Sequence, residues 1–203
     1  MPFVNNADAQ PQSTVSKLLV EQGATLIDAD DVSHHVLKKG QWGYARFLAA
    51  FSREIRIRPE LLDRETGEVN RPLLRLLVFG SPELRRRINA VTHVPIAAEL
   101  LRRIVVERFL RWRPMVVLDA PLMFETGLQH VCKWVITVAC TEETQERRLV
   151  QRDSIDATAA RQMMRAQLPL RRKIKLSDYI VHNDRGLEEL RHEVQACVRA
   201  CPS

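Results

Sequence analysis

Residues Ala24 to Asp30 read ATLIDAD: a short continuous apolar run that ends in one carboxylate and is followed two residues later by another. A run of that length is too short for a buried helix, and its lack of alternation predicts a strand covered on both faces, as in a parallel sheet. The same pattern recurs outward from it. Met115–Asp119 reads MVVLD and again ends in Asp, and Trp134–Val138 (WVITV), Tyr179–Val181 (YIV) and Phe3-Val4 complete a set of five. Helical patterns separate these segments, so the expected fold is a parallel α/β sheet. Ligands of such sheets gather at the carboxyl ends of the strands, which singles out Asp28, Asp30 and Asp119.

About 85 residues lie between the second and third of these strands, more than one crossover helix requires. Helical periodicity over Gly43–Arg53, Pro72–Phe79 and Pro82–Trp112 predicts an inserted helical region there. Nearer the start, Ser13–Leu19 places Val15, Leu18 and Leu19 on one face and meets Gly23 as a stop, which predicts an amphipathic helix. A helical pair, Glu142–Arg152 and Ile155–Gln167, precedes the basic run Arg171–Lys175.

At 203 residues with 45% hydrophobic content, the chain can bury a full core and suits one domain. No apolar run reaches the roughly 18 residues of a membrane span, and MPFVNNADAQ has neither the basic head nor the apolar block of a signal peptide. A soluble, cytoplasmic protein is the expectation. Cys132, Cys140, Cys197 and Cys201 make no C-x-x-C pair, so reduced, chemically idle thiols are expected. The net charge of +6 admits an anionic partner, either nucleic acid or a phosphorylated small molecule. With 5% aromatics and no helix-turn-helix or zinc spacing, nucleic acid is disfavoured.

The D-x-D of Asp28 and Asp30 can serve proton abstraction and metal or water organisation, and by itself it equally serves to cap a loop. Asp119–Leu128, DAPLMFETGL, adds a carboxylate, a proline turn and apolar groups directly after a strand. Arg148 and Arg152 are four apart on one helix, so their forks can converge on a single anion; a solvated helix face is the plainer reading. His93 by itself reads as a core histidine. Trp42, Trp112, Trp134, Met163 and Met164 read as packing residues.

Taken together these segments resemble the dephospho-coenzyme A kinases. The family's I-D-A-D stands at Ile27–Asp30 with His34 at a family histidine position, its arginine and vF elements at Asn70-Arg71 and Val78-Phe79, and its N-a-x-x-H-P at Asn89–His93 with Val94 before Pro95. Its D-x-P-L-L-F-E-T stands at Asp119–Thr126 with Met123 for one Leu, its lid pattern at Thr144–Asp153, and its tail at Ala166–Pro169, Lys173, Ser177–Val181 and Asn183. The resemblance runs from Ser13 to the last helix. It implies a phosphate-loop kinase of the nucleoside-monophosphate-kinase type, a three-layer parallel sheet over one domain: residues 1–30, 114–140 and 178–203 as core, 31–113 as acceptor-binding insertion and 141–177 as lid. ATP with Mg2+ would phosphorylate the 3′-hydroxyl of dephospho-coenzyme A, the last step of coenzyme A biosynthesis, in a monomer without nucleic acid or a membrane span.

By the same resemblance Asp30 would be the base, Asp28 its support and Arg148 a further catalytic group. Ser13, Thr14, Arg148, Arg152 and Asn183 would hold the nucleotide, with Ser13 also on the metal. The acceptor would fall to His34, Arg71, His93, Asp119, Pro121, Leu122, Phe124 and Glu125.

One part of the pattern is missing. Phosphate loops read G-x-x-x-x-G-K-[ST], and aligned on Ser13 the glycine positions hold Asn6 and Pro11 and the lysine position holds Gln12. Pro11 removes an N–H, Gln12 carries no charge, and Asp8 would bring a negative charge toward phosphates. Two accounts compete: a kinase-derived chain that has lost ATP chemistry and only binds coenzyme A or a nucleotide, or a first dozen residues that are not those of the working enzyme. Family-like sequence resumes abruptly at Ser13, which favours the second.

Overall fold

The computed structural model describes residues 2–6, 14–120 and 123–201; the side chains of 2–6 and of Glu125 lie outside the description. The chain divides into two compact units, Met1–Asp28 with Val106–Ser203, and Ala29–Val105.

The first unit is built on a five-stranded sheet of β1 (Pro2–Asn6), β2 (Thr25–Asp28), β3 (Val116–Asp119), β4 (Trp134–Ala139) and β5 (Tyr179–His182), in the order β2-β3-β1-β4-β5 with every neighbour parallel. All five expected strands form. β1 contains Pro2 only at its first residue, where a missing N–H costs the ladder little. The helices of this unit are α1 (Thr14–Glu21), and, after β3, the short α7 (Met123–Thr126), α8 (Glu142–Asp153), α9 (Ala157–Arg165), α10 (Leu170–Lys175) and α11 (Leu187–Ala200). Val15, Leu18 and Leu19 of α1 and Leu190, Val194 and Cys197 of α11 recur at helical spacing and pack on Val117, Ile136, Val138 and Val181 of the sheet. β4 also buries Val135 and Thr137, which alternate with Ile136 and Val138, so it is covered on both faces. α1 ends at Glu21, and Gly23, the stop its sequence holds, follows in the turn at φ +88, a conformation that costs glycine nothing.

The second unit holds α2 (Ala29–Val36), α3 (Trp42–Ala50), α4 (Ser52–Ile57), α5 (Arg71–Phe79) and α6 (Pro82–Val105) around Phe47, Phe51, Leu61 and Leu74. Gly43 lets α3 approach α2 closely: a Cβ there would stand 2.7 Å from the backbone oxygen of Val36.

Several expectations are corrected. The helix expected over Gly43–Arg53 is two helices that meet at Phe51, whose ring stacks on Phe47 at 4.9 Å, because burying both rings outweighs a straight axis. The helix expected to reach Trp112 ends at Val105 and is followed by a π-helical turn, Val106–Leu110. Pro95 lies inside α6 without ending it and is buried among the neighbouring helices, so packing overrides its propensity. The basic run Arg171–Lys175 is helical. Trp42 and Trp112 are exposed rather than packed, and so is Met163. None of the four cysteines is in a disulfide; burial pushes the Cys132 thiol up to about 12, and a hydrogen bond with Cys201 raises Cys197, so neither is a ready nucleophile.

Candidate active site

In the sheet unit, parallel register sets Asp28 opposite Asp119 at the carboxyl ends of β2 and β3. Asp28 is half-buried. Asp119 is 6% exposed, and its Oδ2 accepts a 2.6 Å hydrogen bond from Oγ of Ser16, which is itself fully buried in the first turn of α1. That distance is in the range of an O–H donating to an ionised carboxylate. The bond fastens the start of α1 to the end of β3, so the helix that would follow a phosphate loop is anchored independently of that loop. Nothing in the sequence singled out Ser16, because its neighbours Val15 and Leu18 announce a packing face and Asp119 lies 103 residues away.

Ser16→Ala should therefore lower stability by about 1.5–3 kcal/mol, the usual worth of a hydrogen bond to a charged group. Urea unfolding checks this; a midpoint unchanged at constant slope would mean that the bond contributes nothing.

Thr14 is exposed as the first residue of α1, and Phe124 is half-buried on α7. Ser13, Pro121 and Leu122 lie outside the described residues, as does the Glu125 side chain. The expectations placed on them, including the metal role of Ser13, stay with the sequence.

α8 starts at an N-cap, Thr141, whose hydroxyl accepts from Thr144 N–H, with Glu142 and Glu143 in the first turn to suit the helix dipole. On this helix Arg148 Nη2 donates to the Asn183 carbonyl at 3.0 Å. Arg152 instead makes a two-pronged pair with Asp153. Among the described residues these two guanidinium groups thus hold different local acceptors. Asn183 is buried, and its N–H donates to Ala139 O at 2.7 Å, while Asp184 Oδ1 accepts from Thr141 N–H at 2.7 Å. These bonds stitch together the segments that leave β4 and β5.

Gln167 and Lys173, both members of the tail pattern, also meet: Lys173, a residue 2% exposed, donates from Nζ to Gln167 Oε1 at 3.0 Å. They line a cavity of about 730 Å³ together with Gln145, Glu146, Arg161 and Arg165. Its charge is mixed, and Arg161 there is held on Glu146 at 2.8 Å.

In the helical unit, Asp30 is exposed in the first turn of α2. Its neighbour Asp31 pairs with Arg103 at 2.8 Å. His34 is exposed on α2, and its backbone oxygen accepts from Arg71 Nη2, which brings these two candidates together. Arg71 opens α5, where Asn70 caps the helix by accepting from Leu73 N–H and Pro72 occupies the first turn. Burial lowers the Arg71 pKa, with Glu68 opposing the shift, and the group remains a cation at neutral pH. His93 is exposed on α6, so the core reading of this histidine does not hold. Leu76 and Phe79 on α5 are also exposed.

Among the described residues no cluster of three or more His, Cys, Asp or Glu is placed for a metal. The family model for dephospho-CoA kinase matches residues 9–189. The chain belongs to the dephospho-CoA kinase family. A dephospho-CoA kinase domain-containing protein of Danio rerio is 35% identical over 187 residues, covering 92% of this chain and 78% of that protein. Dephospho-CoA kinase of Arabidopsis thaliana is 33% identical over 187 residues, covering 92% and 77%. The solved structure of dephospho-CoA kinase from Campylobacter jejuni superposes with a TM-score of 0.72 at 24% identity, covering 98% of this chain and 94% of that one, which speaks for the fold. The sheet is thus the phosphate-loop kinase sheet of dephospho-CoA kinases, and every candidate residue from Ser13 to Asn183 lies within the matched span.

Proposed function

We propose that this chain catalyses transfer of the γ-phosphoryl group of ATP to the 3′-hydroxyl of dephospho-coenzyme A, the closing step of coenzyme A biosynthesis. Family membership over residues 9–189 is the observation that carries this reading. The acceptor hydroxyl gives its proton to the Asp30 carboxylate as its oxygen bonds to phosphorus, and the bond from phosphorus to the leaving ADP oxygen breaks. Exposure of Asp30 at a helix start supports this role, since the group is open to a substrate.

Mg2+ would supply charge neutralisation on the phosphates. Its hard-oxygen preference fits the paired strand-end carboxylates Asp28 and Asp119, with Ser13 as a further donor. Thr14, Asn183, Arg148 and Arg152 would hold the nucleotide. Leaving Asp153 for a phosphate would cost Arg152 one exchangeable surface pair. His34, Arg71, His93, Asp119, Pro121, Leu122, Phe124 and Glu125 would hold the acceptor, Arg71 by charge. The insertion and lid boundaries expected from sequence belong to this proposal, as do a monomeric state and a cytoplasmic location.

The direct test is transfer of labelled phosphate from ATP to dephospho-coenzyme A. A second reading rests on Asn6, Pro11 and Gln12 at the loop positions: a protein that binds coenzyme A or a nucleotide without turnover. Separate titrations distinguish the two, because the enzyme takes up both ATP and dephospho-coenzyme A, whereas the binding protein lacks turnover and holds one.

Arg148→Ala is expected to depress turnover by about 10²-fold or more while leaving acceptor affinity within a few-fold, since its charge acts on the transferring phosphoryl group. Arg147→Ala is the control: residue 147 is exposed and points about 100° away around α8. Equal losses in turnover and acceptor binding would remove Arg148 from the nucleotide side.

A further inference from the structure

In a parallel sheet every strand is entered from one edge, opposite the carboxyl ends. In the sheet unit the segments entering β3, β4 and β5 carry a surface that the phosphoryl-transfer reading does not use. Phe109, Leu110 and Trp112 precede β3, Val131 precedes β4 and Leu176 precedes β5; all five are exposed, Trp112 to 80%. Isolated apolar groups on a surface are ordinary, but Phe109, Leu110 and Trp112 stand within four residues of one another, and the parallel order puts the entries to β3, β4 and β5 on the same edge.

The backbone before β3 is unusual in two respects. Val106–Leu110 is π-helical, a rare geometry, with Arg111 N–H donating to Val106 O at 2.9 Å. Trp112 then stands at φ +52, in the left-handed region that bulky residues seldom enter. Arg113 N–H closes the turn on Glu107 O at 3.0 Å. Both departures cost free energy, and their outcome is an indole turned toward water.

Cations interleave with these apolar groups. Arg108, Arg111 and Arg113 flank Phe109, Leu110 and Trp112; Lys133 follows Val131 and Lys175 precedes Leu176. Arg111 pairs with Glu107, the one acid in Glu107–Arg113, at 2.7 Å, and Arg108 reaches the Arg113 carbonyl. Aromatic and aliphatic groups at the centre with arginines around them is the composition of a surface that sits in a lipid headgroup layer. A nucleic acid also takes arginines and aromatic rings, but Leu110, Val131 and Leu176 offer no stacking face, whereas an acyl boundary accepts all five apolar groups.

We propose that this edge docks the protein peripherally on an anionic phospholipid surface, with Phe109, Leu110 and Trp112 entering the headgroup boundary and Arg111, Arg113 and Lys133 meeting the lipid phosphates. No helix among the described residues is long and apolar enough to cross a membrane. The proposed attachment draws on exposed charges and is therefore salt-sensitive. The strand ends bearing Asp28 and Asp119 lie on the opposite edge, away from the proposed lipid contact.

Co-sedimentation with vesicles of phosphatidylcholine alone and of phosphatidylcholine mixed equally with phosphatidylserine tests this. The partition coefficient should be about tenfold or more higher on the anionic vesicles and fall as salt is raised. Phe109→Ser/Trp112→Ser should lower it about tenfold with unchanged circular dichroism, and Arg111→Gln/Arg113→Gln should abolish the anionic preference. If the first variant fails to fold, Leu110→Ser replaces it. Equal partitioning onto both vesicles, or variants that bind like the parent, overturns the proposal. Dimerisation that the apolar substitutions remove, without vesicle binding, overturns it in favour of a second copy, and tighter capture by an oligonucleotide than by vesicles overturns it in favour of nucleic acid.

Discussion

Replacing the loop region, residues 1–12, by a full strand and a glycine-rich segment ending in Gly-Lys before Ser13 is expected to raise phosphoryl transfer by about 10³-fold or more, because each lost donor to a developing anion costs about 10²–10³ and several are missing here. Asn6 and Pro11 replace glycines, Pro11 also removes an N–H, and Gln12 replaces the lysine charge. The graft has defined anchors on both sides. The grafted strand would take the place of β1, whose partners β3 and β4 lie outside the replaced residues, and Ser16 holds α1 on Asp119 beyond them. Acceptor affinity should change little, since the residues assigned to it lie elsewhere. Labelled-phosphate transfer and ATP titration in parent and graft check both points. A graft that folds and binds dephospho-coenzyme A yet transfers nothing would sink the enzyme reading; a parent already as fast as the graft would show that Pro11 and Gln12 are harmless.

Asp30→Asn should remove about 10²–10⁴-fold of transfer activity, the usual share of a general base, measured in whichever of parent and graft turns over faster. The thermal midpoint should hardly move. Asn keeps the shape, and Asp30 is exposed, so little packing is lost. The negative charge that suits the start of α2 is retained by Asp31, paired with Arg103. Persistent activity would show that another group takes the proton, and loss of folding would make Asp30 a structural residue.

The strands are legible in sequence because burial on both faces leaves a continuous apolar run, and the Asp residues that end two of those runs mark the carboxyl edge. Family motifs from Ser13 to Asn183 were legible for the same reason that the loop defect was: both are matters of residue type at fixed spacing. Local pattern failed where packing decided. α2 offers only Val32 and Val36 as an apolar signal and was not foreseen; it is stable because those two residues are buried. Pro95 stays buried within α6, and Phe51, where α3 meets α4, is buried in a cluster with Leu74 and Val91, which lie far from it in sequence.

Sequence by itself determined the α/β class, the strands, the acidic strand ends and the family. The strand order, with β1 between β3 and β4, the bond from Ser16 to Asp119, the separate partners of Arg148 and Arg152, and the outward turn of Trp112 were decided only by the tertiary structure. Periodicity records which way a side chain faces within its own element, whereas pairings across as many as 103 residues depend on which elements become neighbours.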